Sequence, residues 1–425
     1  MFSWARSRAP QSVAAEAVGR GFAFLFFAVV ARACGPAVFA DVRYVTAAGL
    51  LGATLGIPFL VAFSRDTARI SPDHADTPLS APTLRFDLTG WALTSALGAV
   101  AIALLLSRNL EMRLLLFISV LGAACNYYLL VVARSLSWLG TLLWAMFLGN
   151  AGQLLVLLLL LLASPSVVDR AMVVAVYCVG FVGPVVLVPK LRRSLAVPVE
   201  AWHVFGETAW RRRGELASLG LLQAAHTCVT NLDLVILGLV ATRTTVASYA
   251  VAKSLGAFVL LPVNSLYYLV LPEVSRAPGG VTPRARRLLW GGTLLTFAAA
   301  IALAVAAGVI VPMVYGKGYP EAVVPTALVA IASGLYGVTL LHSATWVGRG
   351  ATRAYALLAA TAAFVEAVII AFVPGTHHPT QAASVTLAVL AALAAAVLLG
   401  DRFVGLQPAA EQESERTEQV SGAGN

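Results

Sequence analysis

The chain of 425 residues is 59% hydrophobic and 12% charged, whereas a soluble domain carries about 25% charged residues. This composition excludes an ordinary soluble globular domain and indicates an integral membrane protein. The net charge of +9 does not imply a nucleic-acid partner, because basic residues beside membrane spans are usually topology signals.

Twelve apolar runs follow one another along the chain, each near the length of about 20 residues that a helix needs to cross a bilayer. Ala and Leu dominate them, which favours helices over barrel strands, since such strands alternate polar and apolar residues over about 10 positions. The first run carries Glu16 and Arg20 and is too long for the core of a secretion signal, so we expect it to stay as the first span. The predicted spans are residues 11–33, 38–63, 89–107, 113–134, 138–164, 169–189, 214–240, 246–271, 286–314, 321–347, 352–374 and 380–400.

Basic residues are unevenly divided between the two sides of this twelve-span scheme. The side of the N-terminus holds 21 Lys and Arg residues and the other side holds seven, with Lys253 left inside a span. The positive-inside rule therefore predicts that both termini lie in the cytoplasm and that the protein is a multi-pass protein of the cytoplasmic membrane.

The longest connection in the middle of the chain divides the spans into six and six. Its Trp202, Phe205 and Trp210, followed by three arginines, are typical of an interfacial helix on anionic lipid. The last residues have too little apolar content to fold. The predicted organisation is an N-terminal six-helix lobe (1–190), a cytoplasmic interfacial linker (191–213), a C-terminal six-helix lobe (214–400) and a disordered cytoplasmic tail (401–425).

A faint internal repeat supports this division. Residues 38–52 can be laid over residues 245–259, and each segment follows the first span of its half. Internal repeats are a common build for transporters. The matched pairs include Ala40 with Ala247 and Gly49 with Gly256.

Few ionisable side chains lie inside the spans, where each costs roughly 2.5 to 3.5 kcal/mol on insertion scales and therefore usually faces a cavity or a partner. Most belong to the first two spans of each half, which predicts one polar cavity between the halves. They are Glu16, Arg20, Arg43, His226, Asp233, Lys253 and Glu366.

Each of these groups has a structural interpretation and a functional one. Arg20 either pairs with Glu16 four residues earlier or meets an anionic headgroup or phosphate. Arg43 either snorkels or lines the cavity. Asp233 and Lys253 lie at similar depth on consecutive spans, so they form either a structural salt bridge or a pair that opens with substrate.

The other polar groups leave similar alternatives. Asp233 could also take up a proton or a sodium ion, and Glu366 has no partner that the sequence reveals. Asn231, Asn264 and His226 serve either as interhelical hydrogen-bonding groups or as ligand contacts. Proline residues, among them Pro58 and Pro262, are expected to kink or break helices.

Several function classes are disfavoured. The chain has no GxxxxGK[ST] phosphate loop, so it does not hydrolyse ATP by that device. The connections on the outer side are too short to carry the catalytic groups of a membrane glycosyltransferase, and we therefore predict that the protein is not an enzyme. The four cysteines show no metal-ligand spacing, and we expect no cofactor.

Four segments together resemble the polysaccharide or O-antigen flippase branch of the multidrug/oligosaccharidyl-lipid/polysaccharide (MOP) exporter superfamily. ARACGPAVFADVRYV (31–45) is similar to its helix 1 to helix 2 turn, usually written A-R-x-x-G-x-x-x-F-G, although Ala40 and Asp41 depart from that pattern. NLDLVILGLVATRTTVASYAVA (231–252) resembles the matching segment between helices 7 and 8. LPEVSR (271–276) and VYGKGYPEAVVPTALVA (314–330) are similar to the end of helix 8 and the loop before helix 10.

This resemblance implies an all-α membrane protein with twelve transmembrane helices in two six-helix bundles, arranged as a V with the fold of multidrug and toxic compound extrusion (MATE) exporters. A cationic cavity would pass polyprenyl-linked oligosaccharide across the membrane by alternating access. Lipid-linked oligosaccharide, membrane lipids and glycan polymerase or assembly proteins would be the partners. The substrate-binding candidates are Arg20, Arg43, Lys253, Asn231 and Asn264, and the ion-coupling candidates are Asp233 and Glu366.

Two rival functions remain open. A drug/cation antiporter of the same superfamily would favour an acidic and aromatic cavity. A scaffold that transports nothing, within a glycan assembly complex, would have tightly paired buried charges that apolar residues could replace.

Overall fold

The computed structural model describes residues 2–70, 82–136, 138–164, 168–188, 202–275 and 281–404, and every regular element in those ranges is a helix. We number the α-helices in chain order. They are α1 (Phe2–Ala53), α2 (Ile57–Ile70), α3 (Pro82–Leu106), α4 (Leu110–Ser135), α5 (Leu139–Ala163), α6 (Arg170–Leu187), α7 (Trp202–Val240), α8 (Arg243–Gly256), α9 (Leu261–Ser275), α10 (Pro283–Tyr315), α11 (Val323–Gly348), α12 (Thr352–Phe372) and α13 (Pro379–Val404).

The predicted spans correspond to these helices. Ten helical stretches of the described chain are long and apolar enough to cross a membrane, and the first of them, Ala17–Ser64, contains both of the first two predicted spans. The eighth predicted span, 246–271, is divided between α8 and α9, which have 14 and 15 residues. The predicted twelve-span, all-helical fold is confirmed.

The first two spans meet at Gly35. There the backbone has φ 79° and ψ 174°, a region that glycine enters readily because it has no Cβ. The residue therefore allows helix α1 to contain two spans in place of one long rod, at the position where the sequence predicts a connection.

The second span of each half is broken just before a proline. A 3₁₀ segment, Thr54–Gly56, separates α1 from α2, and Pro58 follows it. Residues 257–260 form a tight turn with i to i+3 hydrogen bonds between α8 and α9, and Pro262 follows that turn. Proline has no N–H and clashes with the carbonyl four residues earlier, so both breaks have the same cause.

The helices pack as two bundles of six spans. In the first bundle α1 packs on α4 and α5, and α4 also contacts α3 and α6. In the second bundle α7 packs on α12, while α11 packs on α9, α10 and α13. One hydrophobic core lies within the first bundle and two smaller cores lie within the second.

The internal repeat is visible in the packing of two glycines. A Cβ at Gly49 would lie 2.9 Å from the backbone carbonyl of Ser119 in the fourth span, and a Cβ at Gly256 would lie 2.7 Å from the hydroxyl of Ser333 in the tenth span. Both glycines thus allow the second span of a half to approach its fourth span closely. This agreement supports the repeat that the sequence suggests.

The largest core joins the two bundles at the end of the molecule that contains Gly35, which we call the Gly35 end. It includes Phe39 from the first bundle and Tyr315 from the second. The hydroxyl of Tyr319 donates to the carbonyl of Ala31 at 3.0 Å. The bundles are therefore packed together at this end.

Ion pairs connect the bundles at both ends. At the Gly35 end Asp41 lies 3.2 Å from Arg243 of the second bundle. At the opposite end Arg212 of α7 lies 3.2 Å from Asp66 in α2 and 3.0 Å from Asp87 in α3. The bundles are therefore connected both above and below the space between them.

The predicted interfacial linker, 191–213, needs a correction. Residues 202–213 are the first turns of the continuous helix α7, which contains no proline, and the residue that most strongly breaks helices is therefore missing there. Glu207 and Arg211 form an i to i+4 pair in these turns. Residues 191–201, like 405–425 in the predicted tail, lie outside the described residues.

Candidate functional site

Two adjoining cavities lie between the bundles. The larger has a volume of about 580 Å³ and is lined by α1, α2, α4 and α6 on one side and by α7, α8, α9, α11 and α13 on the other. The smaller, of about 340 Å³, shares Arg20, Arg43 and Tyr177 with it. The sequence predicted one polar cavity between the halves, and these two together occupy that place.

The lining of this joint cavity is cationic. Arg20, Arg43 and Lys253 line it, whereas no carboxylate does among the described residues. Asp233 is only 1% exposed and lies behind Lys253. The cavity therefore offers positive charge to a ligand and keeps its negative charge inside the protein.

Arg43 is held by an aromatic ring. Its guanidinium carbon lies 4.5 Å from the centre of the Phe27 ring, which attracts a cation through the negative face of the ring. Its Nε is buried without an acceptor, and no ion pair to Arg43 is formed within the described ranges. The guanidinium therefore lines the cavity without an ion pair among the described residues.

The structure locates the other predicted site residues of this region. Arg20 lies in the wall of both cavities. Asn231 lines the larger one. The side chains of Glu16 and Asn264 lie outside the described part of the molecule, so the predicted Glu16–Arg20 pair and the role of Asn264 stay predictions.

Helix α7 contributes a neutral polar stripe to the cavity, formed by Gln223, His226, Thr227, Thr230 and Asn231. These residues share one face because positions three and four apart in a helix are neighbours. Tyr336 bonds Nδ1 of His226 at 2.7 Å, and the Asn231 amide nitrogen donates to the carbonyl of Thr227 at 3.2 Å. The stripe therefore lines the cavity with neutral polar side chains.

Asp233 and Lys253 form the salt bridge that their depth predicts. Lys253 Nζ lies 2.8 Å from Asp233 Oδ2, with the lysine side chain 15% exposed. The other carboxylate oxygen accepts from the backbone N–H of Leu234 at 2.8 Å. The carboxylate is thus satisfied on both oxygens, and only the ammonium reaches the cavity wall.

The salt bridge continues into a second carboxyl group that the sequence left without a partner. Tyr249 donates to Asp233 Oδ2, and its hydroxyl also lies 2.8 Å from that of Thr386. Thr386 in turn lies 2.6 Å from Glu366 Oε1, and Glu366 is 2% exposed. We call Lys253, Asp233, Tyr249, Thr386 and Glu366 the carboxyl network.

Sequence reasoning missed Tyr249 and Thr386. The bond between them joins α8 to α13, two helices that are distant in the chain. Tyr249 is four residues before Lys253, so it shares a helix face with that lysine. This spacing is the one signal in the sequence that could have identified it.

Comparison with solved structures identifies the fold. The chain is similar to the lipid II flippase MurJ in an inward closed conformation, with a TM-score of 0.67, 12% identity and coverage of 91% of this chain and 86% of that one. A MATE family transporter of the MOP superfamily in an inward-facing conformation gives a TM-score of 0.63, 11% identity and coverage of 92% and 98%. A Vibrio cholerae MATE transporter gives a TM-score of 0.55 and 14% identity, with coverage of 95% of this chain and 99% of that one.

Comparison with protein sequences identifies no family. No protein-family model matches the chain, and no curated protein matches it. The similarity to solved structures therefore establishes the fold of the MOP superfamily transporters. The predicted two six-span bundles are confirmed, whereas membership of the superfamily and of its polysaccharide flippase branch stays a prediction.

Proposed function

We propose that the protein is a flippase that moves a polyprenyl-linked oligosaccharide across the cytoplasmic membrane by alternating access. The observation that carries this proposal is the joint cavity lined by three cations and, within the described residues, by no carboxylate. A polyprenyl diphosphate is an anion with a long apolar tail, and it fits a cationic chamber between two bundles that stand in lipid. The resemblance to the polysaccharide flippase branch supports the same substrate class.

The cavity offers distinct surfaces to the parts of such a substrate. Arg43, stacked on Phe27, suits the diphosphate because a guanidinium bonds phosphate oxygens in a planar fork. The neutral stripe on α7 suits the sugar, since hydroxyl groups bond amide and imidazole side chains. Arg20 and Lys253 add positive charge between these surfaces.

The two rival functions fit these observations less well. A drug/cation antiporter needs negative charge where a cationic ligand can reach it, but Asp233 is covered by Lys253 and Tyr249. A scaffold has no need of a half-buried arginine without an acceptor for its Nε. Arg43 and the cavity volume therefore favour transport of an anion.

We also propose the orientation and partners that the sequence predicts. Both termini lie in the cytoplasm, so the packed Gly35 end faces outward and the structure is closed on the outer side. At the opposite, cytoplasmic end Asp66 and Asp87 lie beside Arg212 of α7. Helix α7 follows the long connection that links the lobes 1–190 and 214–400. Glycan polymerase or assembly proteins would receive the flipped substrate.

Disruption of the gene tests this function. We expect a lipid-linked saccharide to accumulate in the inner leaflet, and the wild-type gene to remove it. When the Arg43→Gln variant replaces the wild-type gene and is present at the wild-type amount in the membrane, the saccharide should still accumulate in the inner leaflet. If no saccharide accumulates and the cells become sensitive to cationic dyes, the antiporter is the better account.

A further inference from the structure

The first turns of helix α7 carry an exposed aromatic and basic surface. Trp210 is 69% exposed, and the guanidinium carbon of Arg213 lies 3.6 Å from the centre of its ring. The side chain of Arg211, one position after Trp210, is 76% exposed. We call Trp210, Arg211 and Arg213 the Trp210 patch. These residues line neither cavity, so the proposed transport site does not explain them.

The opposite face of these turns is fixed to the first bundle. Ala209 and Leu216 pack against a hydrophobic core of that bundle. Arg212 lies 3.2 Å from Asp66 and 3.0 Å from Asp87. The helix cannot turn about its axis without breaking these contacts, and the Trp210 patch is therefore held on the outside of the molecule.

The ion pairs of Arg212 also give the depth of the patch in the bilayer. From Asp87 to Leu106 helix α3 covers about 29 Å, close to the hydrocarbon thickness of about 30 Å. Asp87 therefore lies near one boundary of the hydrocarbon, and Arg212 lies beside it. Because Trp210 and Arg213 are within about 3 Å of Arg212 along the helix axis, the patch lies at the depth of the lipid headgroups.

The patch carries positive charge that the protein leaves available. Arg213 forms no ion pair within the described ranges of the chain. Arg211 pairs with Glu207, but both side chains are mostly exposed, and such a pair contributes little because water screens it. Two arginines beside one carboxylate leave a net positive charge, which favours an anionic ligand.

We propose that the Trp210 patch binds the headgroup of an anionic phospholipid, such as phosphatidylglycerol. Arg211 and Arg213 bond the phosphate, because the planar fork of a guanidinium matches phosphate oxygens. The Trp210 ring lies against the glycerol region, since tryptophan is favoured at the boundary between membrane and water. On the proposed orientation this lipid belongs to the inner leaflet. The site itself does not depend on which substrate the protein transports.

A protein partner is the other class of ligand that exposed tryptophan and arginine side chains suit, because these residue types dominate the energetics of protein interfaces. The depth of the patch favours lipid, since headgroups fill the space beside a helix at that level. The experiments below distinguish the two classes.

Tryptophan fluorescence of the full-length protein in nanodiscs tests whether the patch meets an anionic lipid. The nanodiscs contain phosphatidylcholine with brominated phosphatidylglycerol or, in a second series, the same amount of brominated phosphatidylcholine. The quenching lost in Trp210→Phe gives the share of Trp210. We expect brominated phosphatidylglycerol to quench that share more strongly than brominated phosphatidylcholine.

Trp144→Phe is the matched control, because Trp144 is 64% exposed and has no basic residue within one turn of the sequence. Its share should be quenched equally by the two lipids. Equal quenching of Trp210 by both lipids would overturn the proposal. No quenching of Trp210 by either would place the patch outside the lipid and favour a protein partner.

Native mass spectrometry of protein released from nanodiscs measures the affinity for phosphatidylglycerol. Replacing both Arg211 and Arg213 by Gln should lower that affinity by about tenfold or more, since each basic residue beside an anionic surface strengthens binding about fivefold. Replacing Arg286 and Arg287, two exposed arginines of α10, by Gln is the control and should leave the affinity near the wild-type value. An equal loss in both double variants would mean that general surface charge, and no particular site, holds the lipid.

Two further measurements keep the test independent of how these variants fold and of the proposed function. In the wild-type protein, added salt should weaken the binding of phosphatidylglycerol because it screens exposed charges, and binding that does not change with salt would contradict the proposal. The variant with Arg211→Gln and Arg213→Gln should bind a polyprenyl diphosphate with wild-type affinity. Loss of that binding would assign the patch to the transported substrate and overturn the phospholipid site.

Discussion

The two bundles present their cations to the cavity in different ways. In the first bundle Arg43 is stacked on a ring and forms no ion pair within the described residues. In the second bundle Lys253 is paired with Asp233 and, through Tyr249 and Thr386, connected to Glu366. One wall therefore keeps a cation available for a ligand, whereas the other neutralises its cation internally.

The largest expected effect comes from breaking the internal pair. Asp233→Asn leaves Lys253 as a half-buried charge without its carboxylate, and breaking such a pair costs roughly 3 to 5 kcal/mol. We expect a lower free energy of unfolding, measured by chemical denaturation in detergent micelles.

The double variant Asp233→Asn with Lys253→Met is the control for that prediction, because it removes both charges. It should recover most of the lost stability. Equal destabilisation in the single and double variants would show that the salt bridge is not what stabilises this region.

Arg43→Gln should weaken ligand binding and leave the stability of the protein nearly unchanged. With no carboxylate partner to lose, the variant should unfold at nearly the wild-type denaturant concentration. Its affinity for a polyprenyl diphosphate should fall by roughly 10- to 100-fold, since a hydrogen bond to a charged group contributes about 1.5 to 3 kcal/mol. Calorimetry in nanodiscs measures both ligand affinity and any change in enthalpy.

A suitable control for Arg43→Gln is Arg108→Gln, at a connection of the first bundle and absent from the cavity lining. Its affinity should stay at the wild-type value. Wild-type affinity in Arg43→Gln itself would remove this residue from the proposed diphosphate site.

The smallest expected effect concerns the neutral stripe on α7. Gln223→Ala should weaken the binding of a sugar-bearing polyprenyl diphosphate by about three- to tenfold, the worth of one neutral hydrogen bond. The affinity for a polyprenyl diphosphate without sugar should not change. An equal loss for both ligands would mean that Gln223 does not contact the sugar.

Ser384→Ala, which removes an exposed hydroxyl outside the cavity lining, serves as the control for Gln223→Ala. It should change neither affinity. A loss of binding in Ser384→Ala would point to a general effect of polar truncation on the bundle.

The sequence predicts much of the fold, because the rules of the bilayer are simple. Span length, the glycine between the first two spans and the two helix-breaking prolines, Pro58 and Pro262, all act locally. The Asp233–Lys253 pair was also predictable, since its members lie at equal depth on consecutive antiparallel spans. Each of these inferences needs only neighbouring segments.

The rest of the site depends on packing between distant segments. Tyr249 and Thr386 are brought together by the packing of α8 against α13, which are distant in the chain. Glu366 and Thr386 lie on consecutive spans, but a threonine in an apolar run carries no charge that would mark it as a partner. The continuous helix α7 was missed for a different reason. Its aromatic and arginine residues match an interfacial helix in composition, but no proline separates them from the span, and the helix continues through Gly206 and Gly214.

The central claim is that the cavity selects an anion. Binding of a fluorescent polyprenyl diphosphate to the wild-type protein, with tetraphenylphosphonium as a lipophilic cation in competition, tests it most directly. We expect saturable binding of the diphosphate, competition by unlabelled diphosphate and none by the cation. Saturable binding of tetraphenylphosphonium in the cavity, with no binding of the diphosphate, would contradict it.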